Sequence, residues 1–365
     1  MLNAKMPFAK NDITPSWVDS CLRDAGVIDV ARVVSVRAEP IGGGSGGSVY
    51  RVSLDYDRSE SGAASSLIAK LPPLGETDGQ RIMIELGSPV IEARFYSELA
   101  NHAGIRTPRC YFSAYDPRAA AGALLIEDLG GMRLGNPGVS VGDAKAAVRA
   151  LAKLHATMWN SPLIAARQWL DWGNRIEPYV RRIRSWLDRL AEQAPGGLDD
   201  RAATIIESAL VELPDAMSRL SRPPVTLVHG DPWINNFAFD GPSVDDVALF
   251  DWQLAARMRP GFDIACFLDI VPEYRTFPDD ESWLAETNSL VHDYYKALTE
   301  YGVTDYSLAD LLADRKLART YTINAGLWSQ FALQELIGPE FEHNVSEWSR
   351  RLVRRTDALD RAGML

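Results

Sequence analysis

The stretch from Val225 to Gln253, VTLVHGDPWINNFAFDGPSVDDVALFDWQ, is the most constraining part of this chain. Apolar, strand-like runs are interrupted by His229, Gly230, Asp231, Asn235 and Asn236, and the last run ends in Asp251. A carboxylate and two amides placed among apolar runs need partners, because polar groups buried without them are costly. The Asp240–Ser243 connection, DGPS, is rich in turn formers and reads as the bend of a hairpin. The fold must therefore place a polar loop and a hairpin inside an apolar setting.

The flanking sequence shows where that hairpin belongs. From Ser140 onward the pattern is helical: Val148, Leu151, Leu154, His155 and Met158 recur at spacings of three and four. Further amphipathic segments fall near 176–193, 200–219, 282–301, 308–336 and 344–361. The hairpin is thus the strand-rich exception in a mainly helical second part. The first part reads differently. Two β-rich runs flank the cluster IGGGSGG, residues 41–47, as in a hairpin, and LIAKLP supplies a short strand carrying Lys70 and ended by Pro72 and Pro73. SPVIEARFYSELANHAG follows as a helix, with Ser88 at the cap, Pro89 at its first position, a stripe of Ile91, Phe95 and Leu99, and Gly104 beyond its end. Two more apolar runs, RCYFSAYD and GALLIEDLG, complete a mostly antiparallel sheet. The expected class is α+β, with residues 1–128 a sheet with one helix and residues 129–365 mainly helical.

Bulk properties exclude more than they assign. The formal net charge of −11 argues against a nucleic-acid backbone as the main partner, since that function usually shows a basic stripe. Cys21, Cys110 and Cys266 are far apart, odd in number and without CxxC spacing, so neither a disulfide framework nor a zinc site is indicated. There is no continuous apolar region at the N-terminus and no run of about 18 apolar residues, so a cytoplasmic protein without a membrane partner is expected.

Chemistry concentrates in a few residues. Gly42, Gly44 and Gly47, followed by Val49, satisfy G-x-G-x-x-G-x-V, a loop whose backbone can approach phosphates. The dinucleotide version needs a helix after the loop, and here a strand follows, which disfavours a nicotinamide or flavin. Lys70 in LIAK resembles the strand lysine that pairs with nucleotide phosphates and a helix glutamate, for which Glu92 is in the right order. Asp231 and Asn236 reproduce the D-x-x-x-x-N spacing of a kinase catalytic loop, in which the aspartate orients or accepts the proton of a substrate hydroxyl and the asparagine binds magnesium. Magnesium takes a few hard oxygen ligands and keeps waters, so Asp251 would complete the set.

The sequence H-G-D-x-x-x-x-N, an apolar strand ending in D-W-Q and then RPGFDIACFL closely resembles the aminoglycoside phosphotransferase and choline kinase superfamily. Within it, LVHGDPWINNFAF, LLIEDLG, EARFYSEL and LAKLHA look most like the ecdysteroid-kinase-like branch, although the glycine loop is denser in glycine than is usual there. The resemblance runs from about ITPSWV to Phe267. It implies a two-lobed protein-kinase-like fold, ATP and Mg2+ in a cleft, and phosphoryl transfer to a hydroxyl of a small molecule. Carried over by motif, Asp231 matches the base, Asn236 and Asp251 the magnesium ligands, Lys70 the phosphate lysine and Glu92 its partner. Ile126–Leu129, IEDL, matches the linker whose backbone holds adenine, which points to Glu127 and Leu129.

Other readings were weighed against this one. His155 lies on an apolar helix face and reads as a satisfied core histidine, and His229 as a structural donor shaping its loop. A metallohydrolase would need a ligand spacing that His102, His155, His292 and His343 do not offer. Asp263, alone in an apolar segment, reads as a carboxylate holding the catalytic loop. Trp233 and Trp252 border Asp231 and Asp251 and fit either core or pocket. A protein substrate is not expected: Gly261 follows Asp251 too soon for a long activation segment, and no A-P-E triplet occurs. A catalytically silent nucleotide-binding protein is the rival from another class. For the acceptor, Trp169, Trp172, Trp186, Trp283 and Trp328 fit an apolar, sterol-like alcohol, whereas the acidic balance fits an aminoglycoside or an amino alcohol of the choline type.

Overall fold

Alternation in a single strand determines much of the architecture. In β3 (Ser66–Leu71), Leu67, Ala69 and Leu71 are buried on one face, which puts Lys70 on the other, because successive side chains of a strand point to opposite faces. A computed structural model of the chain describes all residues except 1–4, 45–46, 76, 137, 194–195, 242, 270–274, 338–340 and 364–365. The chain divides into two compact units: residues 1–102, 107–133 and 250–254 form the first, and residues 103–106, 134–249 and 255–365 the second.

The first unit is built on a five-stranded antiparallel sheet in the order β1-β2-β3-β5-β4, with β1 (Val33–Gly44), β2 (Gly47–Tyr56), β4 (Cys110–Asp116) and β5 (Ala121–Glu127) around β3. Helix α1 (Pro15–Asp24) begins with Thr14, whose hydroxyl accepts the Trp17 N–H at 3.2 Å, and with Pro15 in the first turn. Its buried stripe, Val18, Cys21 and Leu22, joins Val52, Leu67, Ala69, Phe112 and Leu125 in one apolar core. Each such leucine or valine, fully buried, contributes about 1.5–3 kcal/mol of transfer free energy.

One helix is expected in residues 1–128, α3 (Ser88–Glu98); α1 and α2 (Asp78–Glu85), the latter capped by the Thr77 hydroxyl, are two more, short helices that periodicity does not show. The cap of α3 falls one residue earlier than the sequence indicates. Gly87 takes the left-handed conformation there, at φ 74°, which glycine adopts without a Cβ penalty, and Ser88 is already helical. Helix α3 lies very close to the sheet. A Cβ on Gly122 would stand 2.0 Å from the Pro89 carbonyl oxygen, and the Ser113 hydroxyl donates to the Ala93 carbonyl at 2.7 Å.

A two-residue strand, β6 (Arg133–Leu134), follows β5 in the chain. In the second unit, α4 (Val141–Thr157) opens on a reciprocal cap in which the Ser140 hydroxyl accepts the Asp143 N–H and the Asp143 carboxylate accepts the Ser140 N–H. The short α5 (Pro162–Ala165), then α6 (Gly173–Gln193), α7 (Asp200–Leu220), α8 (Gly261–Asp269), α9 (Asp280–Glu300), α10 (Leu308–Ile337) and α11 (Phe341–Arg361) supply the helical bulk that the periodicity indicates. Among them sit β7 (Thr226–Val228), paired with β10 (Ala256–Met258), and the antiparallel pair β8 (Phe237–Phe239) and β9 (Val247–Leu249) expected from the DGPS turn. Among the described residues no helix is long and apolar enough to cross a membrane.

Candidate functional site

In the first unit three distant segments meet at Lys70. Its ammonium donates to Glu92 Oε1 at 2.7 Å and to Asp251 Oδ1 at 2.6 Å. The geometry follows from the elements. Lys70 points away from the α1 side of the sheet, and Glu92 and Phe95 share one face of α3 at a spacing of three. Phe95 stacks on Trp252 with ring centroids 3.8 Å apart and planes 9° apart, so the segment carrying Asp251 is held flat against the same helix face. Asp251 adopts φ 69°, in the left-handed region that few residues other than glycine visit. Burial works to lower the Lys70 pKa, but the charges of Asp251 and Glu92 outweigh it and hold the ammonium protonated well above the usual lysine range. Burial pushes the Glu92 carboxyl up, against the opposing pull of Lys70.

The glycine cluster forms the end of the β1–β2 hairpin: Gly42 and Gly44 are in β1, and Gly44 pairs with Gly47 at the start of β2. Gly47 is required sterically, since it sits at φ 126° and an added Cβ would lie 2.4 Å from the Leu71 carbonyl oxygen. Glu127 ends β5, where its N–H donates to the Arg109 carbonyl at 2.8 Å, and the Leu129 carbonyl accepts the Met132 N–H at 2.8 Å.

Between them, Asp128 anchors the segment, a role the sequence reading did not assign. Its carboxylate accepts from Arg51 Nε at 2.7 Å, the Ser66 hydroxyl at 2.7 Å and the Gly130 N–H at 2.9 Å. Burial alone would raise the Asp128 pKa, but these donors outweigh it and hold the carboxyl below the usual aspartate range. A depressed folded-state pKa contributes stability that is present above the unfolded value, near 3.9, and is lost as pH falls through the folded value. Asp128→Asn is therefore expected to lower the urea midpoint at pH 7, and the gap between variant and wild type should narrow below about pH 4. A gap that stays constant down to the acid transition would refute the linkage.

In the second unit the polar loop after β7 is held by one buried carboxylate. Asp263 on α8, fully buried, accepts the His229 N–H at Oδ2 (2.7 Å) and the Gly230 N–H at Oδ1 (2.9 Å). Its Oδ2 also lies 3.1 Å from His155 Nε2, and His155 Nδ1 lies 2.7 Å from the Tyr294 hydroxyl. The Nε2–H tautomer of His155 satisfies both contacts, donating to Asp263 and accepting from Tyr294. His155 is thus a satisfied core histidine. His229 shapes the loop as an acceptor at Nδ1, 3.3 Å from the Asp231 N–H, rather than as a donor there. The loop then turns through Gly230 at φ 87° into Asp231. Asn236 Nδ2 donates to the Asp231 carbonyl at 2.8 Å, which ties the two motif residues together. Gly135 is a close neighbour with no sequence signal: a Cβ there would stand 1.9 Å from the Ile234 carbonyl oxygen, so only glycine fits beside the turn carrying Asn236.

The structure therefore brings Lys70, Glu92 and Asp251 into contact in one unit and Asp231 and Asn236 into contact in the other. Among the described residues no group of three or more His, Cys, Asp or Glu is arranged to hold a metal ion. A family model for phosphotransferase enzymes matches residues 37–301. The chain belongs to the phosphotransferase enzyme (APH) family. It is an enzyme of that class, a small-molecule phosphotransferase.

Solved structures similar to this family member share its fold at low identity. Plasmodium vivax ethanolamine kinase is 16% identical, covers 93% of this chain and 89% of its own, and superposes with a TM-score of 0.57. A microcompartment-associated aminopropanol kinase is 14% identical, with 96% and 99% covered and a TM-score of 0.57. The GDP and kanamycin complex of APH(2")-IIia is 14% identical, with 92% and 99% covered and a TM-score of 0.52. The expected mixed α+β, kinase-like fold, an antiparallel N-terminal sheet followed by a helical C-terminal part, is the one observed. No curated protein matches the chain.

Proposed function

We propose that this phosphotransferase is an ATP- and magnesium-dependent kinase that moves a γ-phosphoryl group to a hydroxyl of a small, apolar, sterol-like acceptor, the last on the strength of its aromatic content. The observation that carries the reading is the capture of Asp251 by the Lys70–Glu92 pair across 181 positions of sequence. That contact has no purpose in packing alone, because a charged cluster is a costly way to join segments.

The residues fit the groups they would hold. Asn236 is 7% exposed, its amide nitrogen is committed to the Asp231 carbonyl, and its Oδ1 accepts no hydrogen bond from a described residue, as a hard oxygen ligand requires. Asp251 adds a carboxylate to that amide ligand in the proposed set, and the Leu129 N–H makes no hydrogen bond to a described residue, which suits a donor to adenine. Among the similar structures, one holds GDP. Magnesium, when bound, neutralises charge on the phosphates. The chain's own residues do the rest: the Lys70 ammonium, held protonated, would bind phosphate oxygens, Glu92 would keep it in place, and Asp231 would orient the acceptor hydroxyl and take its proton.

The acceptor reading rests on the second unit. Trp172, Tyr179, Phe262 and Tyr321 form one buried aromatic cluster, with Tyr179 and Tyr321 stacked at 5.2 Å. Burial raises the Tyr321 hydroxyl pKa, with the charges of Tyr179, Cys266 and Asp231 adding to it. Its buried charge is a cation, Arg175, whose guanidinium donates to the Trp169 and Ala255 carbonyls and stands 5.4 Å over the Trp172 ring. Tyr179 Oη and Trp172 Nε1 have no hydrogen-bond partner among the described residues. These side chains pack as core, so the case for the acceptor rests on the aromatic richness of this unit, which favours a neutral apolar alcohol over a cationic one.

The test is magnesium-dependent ATP consumption across sterols, macrolides, aminoglycosides and choline, with the acceptor KM followed against salt. A sterol-type acceptor whose KM is insensitive to salt supports the reading, whereas turnover only of cationic acceptors, weakening as salt rises, replaces it with an amino-alcohol or aminoglycoside kinase. Binding of ATP without turnover of any acceptor would favour the silent nucleotide-binding protein. Asp251→Ala separates the metal role from a structural one. It is expected to weaken nucleotide binding at least about tenfold with magnesium, a loss of roughly 1.4 kcal/mol, and to leave the metal-free affinity unchanged. An equal loss with and without magnesium would make Asp251 a partner of Lys70 only.

A further inference from the structure

An electropositive cavity is lined by residues beyond 301, where the family match ends. It encloses about 210 Å³ between α10 and the end of α11 and is lined by Arg315, Lys316 and Arg319, with Leu312 and Leu359 at its apolar side. A water molecule takes about 30 Å³ of liquid, so the space accommodates a small polyatomic ion with its solvent.

The charges in this cavity are not balanced. Arg315, 3% exposed, spends Nε and Nη2 on Asp269 at 2.9 and 2.6 Å, which leaves the opposite edge of the guanidinium, where Nη1 has no partner among the described residues. Arg319, one helical turn later and 7% exposed, has five N–H donors and a single long contact, Nη2 to the Thr356 hydroxyl at 3.5 Å. No described carboxylate forms an ion pair with it. Burial depresses the Arg319 pKa, as an uncompensated guanidinium requires, and Asp269 only partly offsets it. Lys316 is exposed and forms no ion pair with a described residue. Asp314, on the same helix, is paired with Arg259, and Asp357 with Arg201.

A guanidinium removed from water without a counter-charge costs several kcal/mol, so a buried arginine is normally paired. Its planar fork of donors is suited to the oxygens of phosphate and carboxylate. With Asp269 neutralising Arg315, Lys316 and Arg319 leave two positive charges, which matches a dianion better than a carboxylate. We propose that this cavity is a binding site for a phosphate-type oxyanion, free or as the terminal group of a small molecule, held by Arg315 Nη1, the Arg319 guanidinium and the Lys316 ammonium.

Calorimetric titration of the full chain with inorganic phosphate at fixed ionic strength tests this, with acetate as the monoanionic control. One saturable phosphate per chain is expected. Binding should persist in Lys70→Ala, which removes the phosphate lysine of the proposed nucleotide site. It should weaken at least tenfold in Arg319→Leu and severalfold in Lys316→Ala, with acetate giving no saturable heat. Should Arg319→Leu fail to fold, Arg319→Gln keeps the side-chain volume and removes the charge, and Lys316→Ala alters only an exposed residue. Three results would overturn the proposal: no saturable phosphate binding by the wild type, binding unchanged in the Arg319 and Lys316 variants, or binding lost in Lys70→Ala while retained in Arg319→Leu.

Discussion

Asp231→Asn is expected to lower kcat for acceptor phosphorylation by about a thousandfold or more, because positioned general bases contribute on the order of 10²–10⁴ in rate. The change is nearly isosteric, and the loop's main chain is held by other side chains. Asp263 grips the His229 and Gly230 N–H groups, and Asn236 donates to the Asp231 main-chain carbonyl. The loop should therefore keep its shape while losing the carboxylate proposed to orient the hydroxyl and take its proton. Nucleotide affinity should stay within about twofold, since Lys70, proposed to bind the phosphates, and its two carboxylate partners belong to other segments. Steady-state kinetics beside direct nucleotide titration separate the two effects. Near-normal turnover in the variant would remove Asp231 from the role of base, and lost nucleotide binding would show that the side chain has a structural duty as well.

What the sequence reveals of this site follows from how each residue is encoded. Lys70 is legible because alternation in LIAK places it opposite Leu67, Ala69 and Leu71, and Glu92 because helical spacing puts it beside Phe95. The partner that completes their cluster arrives from residue 251, and no local period carries that information. Motif spacing supplied Asp231, Asn236 and Asp251 as a set, although spacing alone is silent on the Asn236 amide binding the Asp231 carbonyl. Asp263 stood out as a charge in an apolar run, and burial forces such a group to find donors. Asp128 gave a weaker version of the same signal, masked by its turn-like setting before two glycines. Gly135 gave none, since its necessity comes from the Ile234 carbonyl, which the chain reaches much later. Arg315 and Arg319 were invisible for the opposite reason: arginines four apart on an amphipathic helix look like a solvated face until a second helix covers them.

Removing Asp263 should be the most damaging change outside the residues proposed to touch substrate. Asp263→Ala leaves two buried N–H groups and the His155 imidazole without their acceptor, and breaking a buried, fully hydrogen-bonded charge typically costs about 3–5 kcal/mol. For a domain that is stable by about 5–15 kcal/mol this is a large fraction of the total. Asp263→Asn is the more informative variant because it keeps the volume and one acceptor oxygen while turning an NH2 group toward a donor. Its melting temperature should fall, and kcat should drop about a hundredfold with the nucleotide KM little changed, since a displacement of about 1 Å at a reacting group costs on that order. Asp263 acts through the main chain of the loop, as a positioning residue, so its effect should extend along the contacts that hold it. His155→Gln, which can still donate to Asp263 but loses the Tyr294 contact geometry, should fall between wild type and Asp263→Asn in both stability and kcat. Wild-type kcat in a folded Asp263→Asn variant would show that the loop holds Asp231 in place without this carboxylate.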